Sequence, residues 1–292
     1  MTWSLFLVLA SAVLHASWNL LVKRHPDPNA GIAAVAGLGG LVGLSAAMLE
    51  VAGGRVAFPD AHAFRLSLVC GVSEAAYFLC LGRTLRDADL SLGYVVSRGG
   101  AMLMLWPLAF LVQREAPTLS QAAGVGLMVA ALVRLYPVQA GGAQKSGYRW
   151  ALATALFIAA NHVAYKQAIA AGAMPMAVYA LAMAVTTPLT VLAMGPALAA
   201  AGDLSLGQFG RVREAFRRSP VMLVAAGLMC GTSFGLALEA MRTSGAAWVG
   251  TLRNASVALA PLLAWAFLGE RPTRRALGAF ALVVVAIVLL SK

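Results

Sequence analysis

Apolar stretches long enough to cross a lipid bilayer recur along the whole of this 292-residue chain. A helix of about 20 apolar residues spans the hydrocarbon layer, which is roughly 30 Å thick. Only 11% of the residues are charged, less than half the share of a typical soluble domain. We therefore expect an all-α polytopic membrane protein with ten transmembrane helices, at residues 3–23, 30–52, 64–82, 91–112, 118–136, 148–169, 174–198, 220–241, 246–268 and 273–290.

Several classes of function are disfavoured by what the sequence lacks. It has no GxxxxGK[ST] loop for ATP and no HExxH motif, so transport would be secondary and no enzyme activity is predicted. The net charge of +11 comes mainly from Lys and Arg in loops and at helix ends, where positive charge sets membrane orientation, so nucleic acid is not a predicted partner. The three cysteines form no CxxC pair, and no metal or other cofactor is predicted.

The second half of the chain repeats features of the first. Residues 98–118 read RGGAMLMLWPLAFLVQREAPT, and residues 253–273 read RNASVALAPLLAWAFLGERPT, so an arginine and a Glu-x-Pro-Thr ending recur in register. This predicts two five-helix repeats, 1–137 and 148–292, joined by a linker at 138–147. Because five is odd, the second repeat would cross the membrane in the opposite direction. Inverted repeats of this kind let one central site open alternately to each side.

The loop charges predict an orientation. Loops after the odd-numbered spans hold most of the Lys and Arg that lie outside the membrane. The positive-inside rule therefore puts those loops in the cytoplasm and both termini outside the cell inner membrane. The stretch GRVREAFRR, residues 210–218, follows span 7 and is predicted to be a short basic amphipathic helix on the membrane surface.

The motifs that close the two halves resemble a known family. QREAPTLSQAAGVGLMVAAL in the first half and LGERPTRRALGAFALVVVAIVLL in the second resemble the EamA family of the drug/metabolite transporter superfamily, and the resemblance covers nearly the whole chain. It implies a permease built from two EamA-type repeats, and it favours efflux over uptake. On the HASWN motif at residues 15–19 alone, the chain also resembles the subgroup of these permeases linked to phosphonate utilisation.

Two repeat-equivalent helix faces carry polar and aromatic side chains. In each, a histidine is followed at i+3 and i+4, on the same side of a helix, by an aromatic residue and an amide or amine: His15, Trp18 and Asn19 in span 1, and His162, Tyr165 and Lys166 in span 6. We expect both faces to line a central cavity in which the rings stack on substrate. The alternative is that the histidines bond to neighbouring backbone and the aromatic residues mark the membrane interface.

Three further ionisable residues fall inside predicted spans, where a charge costs about 2.5–3.5 kcal/mol on insertion scales. Arg98 and Arg253 recur in register and would hold an anionic group bidentately; alternatively, they snorkel to the membrane surface. Glu74, with Tyr77 in the same candidate binding set, would bind a substrate amine or carry a proton. The alternative for Glu74 is a fixed ion pair with Arg98 or Lys166.

Coupling and gating residues can also be named from the sequence. The candidates for proton coupling are Glu74, His15 and His162. The candidates for gating are the prolines inside predicted helices, because proline kinks a helix, although it is common in membrane helices: Pro107, Pro188 and Pro261. Gly39 and Gly43 are four residues apart in span 2 and are predicted to let another helix approach closely.

Together these features predict a secondary transporter, and by family resemblance an exporter, of a small polar metabolite with an anionic or zwitterionic head. Transport would use alternating access at a midplane cavity, with proton antiport as one hypothesis. The rival is a flippase of a lipid or lipid-linked carrier, which would have a cavity open sideways to lipid. The expected partners are a small-molecule substrate, membrane lipids and a coupling proton, and monomer and homodimer both remain open.

Overall fold

The computed structural model describes residues 2–113, 118–135, 142–194, 207–253, 265–267, 269, 271 and 273–290. These residues form the helices α1 (Thr2–Arg24), α2 (Pro28–Ala52), α3 (Ala61–Asp87), α4 (Leu90–Gln113), α5 (Leu119–Leu135), α6 (Gly142–Ala170), α7 (Pro175–Leu192), α8 (Gly207–Arg218), α9 (Pro220–Thr243), α10 (Ala246–Arg253) and α11 (Arg274–Leu290). No strand occurs within the ranges just given. The predicted all-α class is confirmed.

Five helices are long and apolar enough to cross a membrane: α1, α2, α3, α7 and α9. Shorter apolar helical stretches occur at Val96–Val112, Leu119–Ala131 and Leu277–Leu289. The helices follow the predicted apolar segments, with two exceptions: α6 begins at Gly142, inside the segment predicted as a linker, and α8 contains the stretch 210–218, which is predicted as an amphipathic helix. The ninth predicted span is described only from Ala246 to Arg253, so ten inverted spans stay a prediction.

Short polar turns set the starts of the early helices. Asp27 precedes α2, and its Oδ1 accepts a hydrogen bond from Ala30 N at 3.2 Å. Asp60 precedes α3 and accepts from Ala63 N at 2.8 Å. These carboxylates satisfy amide groups that the first turn of a helix leaves without an intrahelical partner. The turn between α1 and α2 is only three residues long.

The most extensive helix pairs join the first half of the chain to the second. Helix α6 packs along α3 and α4, α1 packs along α9, and α5 packs against α11. Helix α2 contacts both α7 and α9, and α3 also contacts α7. The interior of the bundle therefore lies between the two halves, and polar side chains from both halves can meet there.

Small residues allow the close approach of α2 to α7. A methyl group added at Gly43 would lie 2.7 Å from Cδ1 of Tyr179, and one added at Gly39 would lie 2.7 Å from the Tyr179 hydroxyl. A methyl carbon cannot lie this close to another atom without overlapping it. The spacing of these two glycines predicts this kind of packing, and the structure has it.

Candidate functional site

A cluster of polar side chains is buried among α1, α3, α4, α6, α9 and α10. Each member is at most 6% exposed: His15, Glu74, Tyr77, Arg98, Asn161, His162, Ser233 and Arg253. The two arginines are 2% and 3% exposed, so they point into the bundle instead of snorkelling to the membrane surface. The structure therefore brings most of the predicted binding residues together.

The imidazole ring of His15 lies between the two arginines. Nη2 of Arg253 is 2.8 Å from Nδ1 of His15, and Nη2 of Arg98 contacts Nε2 on the other side of the ring. The indole Nε1 of Trp18 is also 3.3 Å from Nδ1. A guanidinium group only donates, and a neutral imidazole accepts through one nitrogen alone. At the other ring nitrogen a donor therefore faces a donor, and this part of the cluster has an excess of hydrogen-bond donors.

The two arginines have matching surroundings. Nη2 of Arg98 donates to the hydroxyl of Tyr77 on α3 at 3.0 Å, and Nη2 of Arg253 donates to Oγ of Ser233 on α9 at 3.3 Å. Each guanidinium also lies near an aromatic ring, Arg98 5.9 Å from the ring of Tyr77 and Arg253 4.2 Å from the ring of Phe234. The recurrence of these arginines in the sequence thus corresponds to a recurrence in their contacts.

Glu74 bonds to the side-chain amide of Asn161, which is not among the predicted binding residues. Nδ2 of Asn161 donates to Oε2 of Glu74, and Oγ of Ser73 donates to Oδ1 of Asn161 at 2.6 Å. Among the described residues, Oε1 of Glu74 has no hydrogen-bond partner. The signal for Asn161 is present, since it is an amide beside His162 in an apolar segment.

The ion pairs of the described residues lie at helix ends and in the connections between helices, and Glu74 takes part in none of them. The fixed ion pair with Arg98 or Lys166 is therefore not formed. Arg253 and Arg98 are nevertheless near enough to interact electrostatically with the Glu74 carboxyl group.

The second histidine behaves differently from the first. Nδ1 of His162 bonds to the backbone carbonyl of Ile158 at 2.8 Å, as the alternative interpretation of the histidines predicts. Its Nε2 and the hydroxyl of Tyr165 have no hydrogen-bond partner within the described part of the chain. Both side chains line the central cavity, so their polar atoms are positioned to bond to a ligand or to water.

The side-chain amine of Lys166 lies at the C-terminal end of α9. Its Nζ donates to the carbonyls of Met241 at 2.7 Å and Ser244 at 3.0 Å, where α9 ends. Lys23 does the same at the end of α3, donating to Leu85 at 2.7 Å and Ala88 at 2.8 Å. Cations stabilise the C-terminal end of a helix, where carbonyls lack intrahelical partners. Lys166 thus corresponds in its contacts to Lys23, although the sequence motif aligns it with Asn19.

Asn19 and the prolines complete the predicted set. Nδ2 of Asn19 donates to the backbone carbonyl of His15 at 2.8 Å, within the same helix. Pro107 lies inside α4 and Pro188 inside α7. Pro261 lies outside the described residues.

The central cavity is small. It is lined by seven polar or aromatic residues together with apolar side chains: Tyr77, Arg98, Asn161, His162, Tyr165, Phe234 and Arg253. Its volume of about 10 Å³ gives room for roughly one water molecule. A larger vestibule of about 300 Å³ opens where α1, α3 and α7 end, and Arg83, Arg86 and Arg211 line it.

Aromatic rings separate the vestibule from the cavity. Phe78 lines the vestibule and Tyr77 lines the cavity, with their ring centroids 5.0 Å apart. The ring of Trp18 packs on Phe78 at 5.9 Å. In the other half, Tyr165 lies 6.4 Å from Phe234. The cavity is thus closed off from the vestibule by Trp18, Tyr77 and Phe78 in this conformation.

Ser233 belongs to the stretch Gly231-Thr-Ser-Phe-Gly235, which matches the GxSxG pattern of serine hydrolases. That pattern works as a nucleophile only on a sharp turn from a strand into a helix. Here Ser233 lies within α9, and its Oγ donates to the carbonyl of Ser11 at 2.9 Å. The local structure therefore does not present Ser233 as a nucleophile.

Comparison with known proteins adds a family. The sequence model described as the EamA-like transporter family matches residues 145–292. No curated protein sequence matches this chain. A solved crystal structure is similar over 99% of this chain and 96% of its own length, with a TM-score of 0.69 and 18% sequence identity. At that identity the likeness concerns the fold alone.

Proposed function

The chain belongs to the EamA-like transporter family, and from this premise we propose that it is a secondary membrane transporter that exports a small polar metabolite with an anionic or zwitterionic head. The observation that carries the choice of an anion is the position of His15 between the guanidinium groups of Arg98 and Arg253. Two guanidinium groups thus face a ring that can accept through only one nitrogen.

An anionic group would relieve this arrangement. A carboxylate or phosphate presents several acceptor oxygens and pairs bidentately with a guanidinium group. Such a group entering between Arg98 and Arg253 would take the place of the His15 ring as their shared acceptor. The imidazole could then accept the hydrogen bond from Trp18 through Nδ1 and donate through Nε2.

Glu74 supports the zwitterionic form of the substrate. Its Oε1 has no partner among the described residues, and the guanidinium groups lie within electrostatic reach. An ammonium group next to the substrate anion could therefore bond to Glu74. The same carboxyl group, with His15 and His162, remains the candidate for proton coupling.

The pattern of helix contacts supports alternating access between inverted repeats at 1–137 and 148–292. If α1, α2 and α3 correspond to α6, α7 and α9, then the contact of α3 with α6 corresponds to that of α9 with α1. The contact of α3 with α7 likewise corresponds to that of α9 with α2. The two halves could therefore exchange conformations around a fixed central site.

We further propose that two aromatic pairs close the site from opposite sides. Trp18 with Phe78 and Tyr165 with Phe234 occupy corresponding helices. Phe78 and Phe234 each follow directly the residue whose hydroxyl accepts from an arginine, Tyr77 and Ser233. Opening one pair while the other stays packed would give access from one side at a time.

The rival function, a lipid flippase, is favoured by one observation. An apolar groove of about 700 Å³ lies between α2 and α7, lined by residues such as Leu41, Leu44 and Met48, and it could hold a hydrocarbon chain. It shares no lining residue with the central cavity. A lipid with its head among the arginines would therefore need its tail to pass the close packing of Gly39 and Gly43 on Tyr179.

Binding measurements separate the two functions. The purified protein is titrated with water-soluble carboxylates, amino acids, phosphonates and nucleotides, and its thermal unfolding midpoint is followed, since a ligand that binds only the folded state stabilises it. The proposed function predicts stabilisation by at least one of these anions, lost in Arg98→Ala and in Arg253→Ala. Stabilisation only by lipids with long tails, lost in Arg98→Ala and in Arg253→Ala, would favour the flippase.

A further inference from the structure

The amphipathic helix α8 lies at one end of the bundle, at the level where spanning helices begin and end. It contacts α2, α7 and α9. It ends at Arg218, and the candidate span α9 begins at Pro220. Because α9 is apolar from its first turn onward, α8 is held close to the boundary between hydrocarbon and water.

The inner face of α8 is bound to the turn between α1 and α2. Ala215 is 3% exposed, and its carbonyl oxygen is 3.3 Å from Nε2 of His25. Arg211 makes an ion pair with Asp27, with Nε 3.0 Å from Oδ2. These contacts fix the rotation of the helix, and therefore fix which side chains face outward.

The outer face of α8 combines aromatic and basic side chains. Phe209 is 72% exposed and Phe216 is 37% exposed, and Arg213 and Arg217 are exposed beside them. With spacings of three, four and seven residues, these four side chains fall on one side of a helix. Exposed phenylalanines flanked by arginines are unusual for a surface facing only water, and typical of helices that lie in the membrane interface.

The charges on this face are available for a ligand. Arg218 donates to Oε1 of Glu214 at 2.8 Å, and this hydrogen bond holds the pKa of the Glu214 carboxyl group below its usual range. Glu214 therefore stays ionised at neutral pH and offsets Arg218. Within the described part of the chain, the ion pairs include neither Arg213 nor Arg217.

We propose that the outer face of α8 binds anionic phospholipids. Arg213 and Arg217 hydrogen-bond the lipid phosphates, and Phe209 and Phe216 insert at the boundary between headgroups and acyl chains. The expected orientation agrees, since α8 follows an odd-numbered span and the positive-inside rule places it at the cytoplasmic leaflet, which carries the anionic lipids. This inference does not depend on the transported substrate.

The test uses the full-length protein in a neutral detergent, titrated with phosphatidylglycerol or with phosphatidylcholine while the unfolding midpoint is measured. Each interfacial arginine strengthens association with anionic lipid by about fivefold. Arg213→Gln with Arg217→Gln should therefore require roughly 25 times more phosphatidylglycerol for the same stabilisation. The matched control is Arg65→Gln with Arg242→Gln. These two exposed arginines lie near the start of α3 and the end of α9, whereas α8 lies next to the start of α9.

The outcomes are distinct. We expect wild type and the control variant to prefer phosphatidylglycerol over phosphatidylcholine to the same extent. Arg213→Gln with Arg217→Gln should lose this preference. Phe209→Ser with Phe216→Ser should weaken the binding of both lipids. Equal stabilisation of wild type by the two lipids, or an equal loss in the control variant, would overturn the proposal. All these side chains are exposed, so the unfolding midpoints without lipid should match wild type.

Discussion

Exchange of Arg98 or Arg253 for lysine is the sharpest perturbation of the proposed anion site. Lysine keeps a positive charge at the same position but has no planar fork, so it holds an oxyanion through one donor at a time. Nη2 of Arg253 donates to Ser233 at 3.3 Å, and Nη2 of Arg98 donates to Tyr77 at 3.0 Å, so a hydroxyl group from a neighbouring helix helps to position each guanidinium group.

The expected size of the effect follows from the bonds lost. One hydrogen bond to a charged group contributes about 1.5–3 kcal/mol, so each variant should bind the anion about ten to a hundred times more weakly. Because both arginines hold the same group, the double variant should lose less than the product of the two single effects.

The assay is isothermal titration calorimetry of the detergent-purified protein with whichever soluble anion stabilises the wild type most. The matched control is Arg83→Lys, an arginine in the vestibule that stacks over the ring of Trp150 at 4.4 Å, and it should leave the dissociation constant nearly unchanged. If Arg98→Lys and Arg253→Lys both bind the anion as tightly as wild type while Arg83→Lys does not, the anion site lies in the vestibule and the reasoning above is refuted.

Three further predictions concern coupling, gating and stability. Exchange in proteoliposomes should depend on an imposed pH gradient and should stop doing so in Glu74→Gln, because the amide cannot carry a proton; a mutant that retains the dependence ends the hypothesis of coupling through Glu74. Phe234→Ala should speed the labelling of the native, buried Cys230 by a water-soluble maleimide, whereas Phe78→Ala should not, and equal rates in both would contradict two separate gates. Gly43→Ala should lower the free energy of unfolding by about 1–3 kcal/mol, measured by denaturant titration, because the added methyl group overlaps Tyr179; an unchanged stability would mean that α2 and α7 separate at little cost.

The helices were predictable because a bilayer leaves the chain few choices. Backbone polar groups in hydrocarbon must bond within their own segment, so each apolar stretch becomes a helix. Apart from α8, the described helices from Thr2–Arg24 to Pro220–Thr243 accordingly lie where the apolar segments lie. The start of α6 at Gly142 was not predictable in this way, because its first turns are polar and apolarity says nothing about helices outside the membrane.

The sequence supports the burial of the two arginines less directly than it supports the helices, and it does not indicate which residues the arginines contact. Recurrence in register indicates that Arg98 and Arg253 share a role, but it cannot show that both point at His15, which is contributed by a helix more than eighty residues away from either. For Lys166 the sequence-based prediction concerned the wrong location. Its position four residues after His162 predicts that it lines the cavity, but its long side chain reaches the carbonyls at the end of α9.

The two halves of the chain share some contacts around the central cavity and differ in others. Arg98 and Arg253 each bond a hydroxyl group, and each half of the chain contains one aromatic pair, which would suit the alternating access proposed above. His15 and His162 do not behave alike, because one bonds both guanidinium groups and the other bonds its own helix. A ligand that replaces His15 would be held by corresponding groups from both halves, so it could stay bound to both arginines while either aromatic pair opens, and its affinity would change little between the two conformations.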